Sequence, residues 1–169
     1  MSQVEDKVNK RIMGNENQEV ETSQFVTFLI AGEVYGVEVL RVQEIIGMTN
    51  VTHVPNSMHF MKGVINLRGT VVPVVDMRLR FNMDEKDYDN FTVILIVEVK
   101  GHMVGMIVDS VADVVDIPVK NIQDTPHFSA SIQTDYIKGI GRIEEDLVIV
   151  LDVDRILSTE ELEKMEAVK

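Results

Sequence analysis

Any chemistry in this chain must come from four histidines, scattered aspartates and one pair of opposite charges set among apolar strands. His53, His59, His102 and His127 lie apart, and none stands at HExxH spacing with a carboxylate, so a zinc site would need assembly wholly by tertiary folding. Asp109, Asp113 and Asp116, or Asp152 with Asp154, are the residue types of an acid–base pair or a Mg²⁺ site. Their alternation with valine is instead the pattern of solvent-facing strand positions. No serine occupies a GxSxG turn, and neither GxxxxGKS/T nor GxGxxG is present to cradle phosphate. The chain has no cysteine, which excludes thiol catalysis, disulfides and thiolate-bound zinc. No cofactor is expected.

What remains is Glu44, which interrupts VQEII, and Arg68, between Leu67 and Gly69 at the tip of an expected hairpin. The bland reading is a strand glutamate on the wet face and a solvated turn arginine; the sharper one is that the two pair across the first of two β units. An exposed pair adds little to stability, whereas breaking a buried pair strands a charge. The ten methionines read either as an adaptable binding surface or, more commonly, as core and rim filling; Met48, Met58, Met61, Met77, Met83, Met103 and Met106 are spread along the chain.

The elements that must position these residues come from an internal repeat. KGVINLRGTVVPVVDMRLRF (Lys62 to Phe81) returns in degraded form as KGIGRIEEDLVIVLDVDRIL (Lys138 to Leu157), pairing Gly63 with Gly139, Val72 with Val148 and Asp76 with Asp152 at an offset of 76. FLIAGEVYGVEVLRVQEII (Phe28 to Ile46) matches LIVEVKGHMVGMIVDSVADVV (Leu95 to Val115), aligning Gly36 with Gly105 at an offset of 69. Two copies rich in β-branched residues and broken by glycine predict two related β units.

Taken in order, residues 1–22 are polar with few large apolar side chains and predict a mobile arm, or alternatively a docking helix presenting Val4, Val8 and Ile12. A hairpin follows, with its turn at Gly32-Glu33. Val39 to Ile46 mixes strand and helix periods and reads as a strand bent at a bulge. Pro55-Asn56-Ser57 offers an N-cap for a short helix over Met58 to Met61, stopped by Gly63. Strands Val64 to Leu67 and Val71 to Asp76 meet at Arg68-Gly69-Thr70, and Pro73 predicts an edge position or a bulge for the second. Thr92 to Val99 reads as a strand covered on both faces, and Asn121 to Ser131 as a long loop. The last strand spans Asp146 to Asp152, and Ser158 with Glu161 forms a capping box for a terminal helix over 158–168. The domain reading is an arm at 1–22 and one unit at 23–169, with barrels over roughly 24–85 and 91–157 and strand exchange between them allowed by the repeat.

A length of 169 residues and 45% hydrophobic content suffice for a core that folds alone. A net charge of −12 works against nucleic-acid binding and favours basic partners. Apolar runs are strand-sized and the first residues carry no signal-peptide pattern, so a cytoplasmic chain without direct membrane insertion is expected.

YGVEVLRVQEIIG, KGVINLRGTVVPVVDMRLRF and VGMIVDSVADVVDI, in that order, resemble the CheW family, the coupling proteins of bacterial chemotaxis arrays, over about Gln24 to Leu157. The resemblance implies an all-β fold of two packed five-stranded SH3-like barrels and a non-enzymatic adaptor. Its implied partners are the cytoplasmic tip of methyl-accepting chemoreceptors and the regulatory, CheW-like domain of the histidine kinase CheA. Val42, Glu44, Gly63 and Arg68 match functionally sensitive family positions, and Gly69 completes the turn that carries Arg68. A groove lined by Val39, Val42 and the residues after Gly36 is expected to take a receptor helical hairpin. With no receiver domain after Lys169 and no kinase segments before Gln24, neither CheV nor an intact CheA is expected. The alternative is a small acidic β-barrel enzyme or ligand-binding domain with its site in the interbarrel groove.

Overall fold

The computed structural model describes residues 21–124 and 136–167. The expected arm therefore lies outside the described residues up to residue 20, and so does the expected loop from residue 125. The elements are β1 (Thr22–Ile30), β2 (Glu33–Glu38), a 3-10 turn (Val39–Arg41), β3 (Val42–Gly47), β4 (Met61–Leu67), β5 (Thr70–Asp76), α1 (Met77–Arg80), β6 (Val93–Val99) and β7 (His102–Val108). There follow β8 (Ser110–Pro118), a second 3-10 turn (Val119–Asn121), β9 (Ile122–Gln123), β10 (Ile137–Ile143), β11 (Asp146–Leu151), α2 (Val153–Ile156) and α3 (Thr159–Glu166). The protein is mostly β, as expected.

Three hairpins turn on an X-Gly pair: Ala31-Gly32 (φ 52° and 82°), Arg68-Gly69 (51° and 90°) and Lys100-Gly101 (50° and 85°). Positive φ at both central residues is what a two-residue hairpin turn needs to match strand twist. The bulge expected between Val39 and Ile46 is present as a register shift between Val42 and Glu44 in the β3–β6 ladder, but Val39–Arg41 forms a 3-10 turn rather than strand. The capping box is present: the Ser158 hydroxyl accepts from the Glu161 amide, and the Glu161 carboxylate accepts from the Ser158 amide at 2.8 Å. Every one of the seven repeat-borne methionines is buried or half-buried, as core and rim filling requires.

Two local expectations fail. No helix forms over Met58 to Met61: Met61 already pairs with Val75, Gly63 lies inside β4, and the Ser57 hydroxyl donates to the Val54 carbonyl instead of capping. The four-residue helices α1 and α2 do form, but each is capped by an aspartate side chain; Ser57 supplies no such cap and Met61 is drawn into the β4–β5 ladder, so extended pairing wins. Pro73 is in an inner strand, since β5 lies between β4 and β7. It faces Val64, whose own N–H and C=O turn away from β5 to bond Thr52, so Pro73 occupies a pair that exchanges no hydrogen bonds with β4. On the other side, pairing with β7 begins only at Val74. The missing N–H is not needed by either neighbour.

The strands form two sheets, ordered β8-β1-β2-β11-β10-β9 and β3-β6-β7-β5-β4. Each curls shut through one continuous segment: residues 110–123 pair with β1 at one end and β10 at the other, and residues 42–52 pair with β6 and then, through Thr52, with β4. The barrels are thus five strands and five strands plus the two-residue β9. They do not follow the consecutive halves 24–85 and 91–157. Hairpin β1–β2 of the first repeat completes the barrel of β8–β11, and hairpin β6–β7 of the second completes that of β3–β5. Both exchanges use a parallel ladder at repeat-equivalent positions, Gly36 beside Val150 and Gly105 beside Val74. Strand exchange, which the repeat allowed, is reciprocal.

Each repeat ends in the same device. Asp76 and Asp152 cap α1 and α2, and their amides donate to the carbonyls of Phe60 and Tyr136, both at 2.8 Å. Gly63 and Gly139 lie at matching register shifts, where a Cβ would stand 2.0 Å from the Thr52 carbonyl oxygen and 2.6 Å from that of Gln123. Glycine is required there because the closing segment crosses against bare backbone.

Ion pairs join the barrels. Arg78 of α1 grips Asp109, just past β7, with Nε–Oδ1 at 2.9 Å and Nη2–Oδ2 at 2.7 Å. Arg41, just past β2, grips Asp154 of α2, with Nη1–Oδ2 at 3.1 Å. Hydrogen bonds from the arginines hold both carboxyls below the usual aspartate range, with burial opposing.

Gly63→Ala is expected to lower stability in chemical denaturation by about 1–3 kcal/mol from overpacking alone, with the strain of φ +148° adding to it, whereas Gly69→Ala at the open turn meets nothing within 4 Å and should cost less. Because Asp109 and Asp154 have folded pKa values below their unfolded ones, the stability they contribute is full above the unfolded value of about 4 and is lost as pH falls through the folded values. Urea midpoints of wild type and Asp109→Asn/Asp154→Asn should therefore differ most near neutrality and converge in strong acid.

Candidate functional site

Arg68 and Glu44 meet on the surface of the β3–β7 barrel. The turn at Arg68-Gly69 is pinned by the Gly69 amide donating to Asn66 Oδ1 at 2.7 Å, and it projects an Arg68 side chain that is 69% exposed. The bulge in β3 turns Glu44 toward it, and the pair is bidentate: Nη1–Oε2 2.9 Å and Nη2–Oε1 2.6 Å. Arg68 holds the Glu44 carboxyl below its ordinary range, and Glu44 raises Arg68 in return. β3 and β4 are the outermost strands in the sheet order, so the pair spans the line along which the barrel closes. The sharper reading of these two residues, pairing across the first barrel, is therefore the one realised, in its exposed form.

The other expected site residues fall in three places. Gly69 is exposed at the same turn. Val39 and Val42 are half-buried against the apolar cluster between the barrels, on the segment where the chain passes from one barrel to the other; Val42 and Glu44 straddle the bulge. Gly63 is buried and can touch no partner directly; its place is explained by backbone crowding. The expected groove after Gly36 is filled, since Val37 is fully buried.

Large apolar side chains nevertheless stand in solvent beside these residues. Leu40, between Val39 and Arg41, is 89% exposed, and Ile45 and Val71, flanking the ion pair in sequence, are about 40% exposed. Val71 and Leu147 are repeat equivalents and both are exposed, so each repeat carries the same apolar position near the start of its last strand. The sequence singled out neither Leu40 nor Phe91, which is 73% exposed; an apolar residue in a short turn reads like any other until its burial is known.

The residues of the metal and acid–base alternatives do not converge among the described residues. His53, His59 and His102 are exposed and apart, and His127 lies outside the described residues. Asp113 and Asp116 face solvent on β8, Asp152 caps α2, and Asp109 and Asp154 are committed to arginines. Among the described residues no three His, Asp or Glu converge as a metal site would need. An open cavity of about 580 Å³ lies at the barrel seam, lined by Arg80, Lys100, Tyr136, Asp154, Arg155 and Glu161 among others. Its charges are internally engaged: Arg80 binds Glu161 and the Ile156 carbonyl while stacking on Phe60 and Tyr136 at 4.6 Å, and Lys100 reaches the Thr159 hydroxyl. Among the described residues no helix is long and apolar enough to cross a membrane.

The CheW-like domain profile matches residues 24–161. The chemotaxis protein CheW of Klebsiella aerogenes is 37% identical over 82% of this chain and 84% of its own length, and that of Bacillus subtilis is 32% identical over 84% and 92%. The crystal structure of the scaffolding protein TtCheW from Thermoanaerobacter tengcongensis superposes with a TM-score of 0.77 at 29% identity, covering 83% of this chain and 96% of that one. The profile match over residues 24–161, with relatives above 30% identity over most of the chain, places this chain in the CheW-like family.

Proposed function

We propose that this protein is a non-enzymatic chemotaxis adaptor, working in the cytoplasm, that binds the CheW-like regulatory domain of the kinase CheA and the cytoplasmic tip of methyl-accepting chemoreceptors. The observation that carries the reading is the Glu44–Arg68 pair. A bidentate, exposed arginine is held rigid beside apolar side chains on a chain whose relatives are named chemotaxis protein CheW. Arginine with neighbouring apolar surface is the composition of a protein-binding hot spot. The competing reading, an enzyme with a site between the barrels, draws no support from the seam, where the apolar cluster is closed and the charged side chains lining the cavity are engaged by other protein groups. Two barrels with equivalent exposed rims give two partners separate places to bind, and contacts that are individually modest gain from repetition in an array.

The test is titration of the full chain with a receptor-tip fragment and with the CheA regulatory domain, followed by amide chemical shifts. Two separable footprints are expected; a single shared footprint would refute simultaneous bridging. Arg68→Ala should weaken at least one partner by about tenfold or more, as loss of a hot spot does, while leaving the unfolding midpoint nearly unchanged. A large loss of stability instead would assign Arg68 a structural role.

A further inference from the structure

The two arginine–aspartate pairs at the barrel seam occupy repeat-equivalent sites with their charges reversed. Arg78 and Asp154 match at the repeat offset of 76, each two residues past the aspartate that caps its helix. Asp109 and Arg41 mark the exits of the equivalent hairpins: at the offset of 69, Asp109 aligns with Leu40, one residue short of Arg41. In the β3–β7 barrel the helix is positive and the hairpin exit negative; in the other the helix is negative and the exit positive. The rest of each joint repeats as well. The Asp109 carboxylate accepts from the Ala31 amide and the Asp154 carboxylate from the Lys100 amide, and Ala31 and Lys100 are again 69 apart, at the turns of the two exchanged hairpins. Asp109 N–H donates to the Leu29 carbonyl, and the Arg41 guanidinium donates to that of Glu98, its repeat equivalent.

Such a reversal has a consequence for pairing. The apolar faces of the two hairpins are alike, and each could dock on the half of the chain that follows it, giving consecutive barrels that the chain links by one crossing. In that arrangement Arg41 would face Arg78, and Asp109 would face Asp154. In the arrangement present, every arginine faces an aspartate. The chain crosses between barrels twice, at Val39–Arg41 and at Asp109, and each crossing carries one member of a pair. We propose that these two oppositely poled ion pairs select the reciprocal hairpin exchange, by repulsion in the unexchanged alternative as much as by attraction in the native one.

The test separates pairing choice from local bond strength. Arg41→Asp/Asp154→Arg keeps opposite charges within its joint but gives both joints the same polarity, so neither hairpin is directed. The full chain, refolded from urea at low concentration, should then lose native monomer on size exclusion and acquire a slow refolding phase absent from wild type. Adding Arg78→Asp/Asp109→Arg, at the other joint, restores opposite polarity in mirror image and should recover monomer yield and remove that phase. The aspartate-to-arginine changes also forfeit the turn-amide bonds, and that local loss can only accumulate across four substitutions. Recovery in the quadruple variant therefore supports selection. A double variant that refolds like wild type, or a quadruple variant as impaired as the double or worse, overturns it.

Discussion

The apolar cluster between the barrels is the constraint on which the rest of the structure depends. Three buried clusters exist among the described residues. One fills the β3–β7 barrel around Ile65, Val74 and Ile96, and one fills the other around Phe25, Ile117 and Val150. The third is larger than either and belongs to both sheets: Phe28, Tyr35 and Val37 meet Leu95, Val97 and Met106, and α3 closes it with Leu162 and Met165. Aromatic rings run through it at 5.5–6.3 Å, stacked from Phe28 through Tyr35 to Phe81 and tilted between Phe81 and Tyr136. Each large side chain so buried contributes about 1.5–3 kcal/mol, against about 0–1 kcal/mol for a surface ion pair. The barrels are therefore halves of one body, joined by their hydrophobic content, and the charges at the seam decide which strands meet there more than whether they meet.

That arrangement gives position its meaning. Each exchanged hairpin is packed in one barrel and rooted in the other, so the crossing segments are where the two halves are covalently and sterically tied. Val39, Leu40, Arg41 and Val42 occupy one crossing: the valines lean on the shared core, Arg41 ties down α2 through Asp154, and Leu40 is left in water. A partner bound at Leu40 would touch the joint itself and not a remote rim. The crossing at Asp109 is shorter and carries its ion pair without an apolar neighbour comparable to Leu40. The two ends of this pseudo-symmetric molecule are thus chemically distinct.

Much of this was legible in the residues because the repeat preserves the positions where backbone meets backbone. The repeat matched Gly63 with Gly139, although Gly63 read as a helix stop and is a strand residue crossed by backbone; the Arg68-Gly69 turn announced its hairpin, and the first turn lies at Ala31-Gly32, one residue before the expected Gly32-Glu33. The Ser158–Glu161 box fixed the last helix, whose apolar face then had to find the shared core. The exchange itself was not legible, since a strand's pattern records that it is covered and not by what. Pro73 was misplaced for the same reason: its tolerance comes from Thr52 and from where β7 begins, both set by tertiary pairing. Of the site, Glu44 and Arg68 could be found because charge among apolar strand residues is unusual. Arg41, Arg78, Asp109 and Asp154 looked like ordinary solvated charges, because the tertiary folding that brings each arginine to its aspartate leaves no local pattern.

The exposure of the Glu44–Arg68 pair bears on how the surface recognises a partner. Glu44 engages one N–H of each terminal nitrogen of the guanidinium, so three of its five donors remain available to a partner's carbonyl or carboxylate. A free arginine loses much rotamer freedom on binding; one already held by a bidentate carboxylate, at a turn pinned by Asn66, has lost most of it beforehand. The pair also cancels the charge of Glu44 on a chain whose net charge is −12, which lowers local repulsion toward an acidic partner while leaving a directional donor array in place. Exchange of Arg68 for lysine would preserve the sign of the charge and lose the fork, so specificity at this surface should follow guanidinium geometry more closely than charge alone.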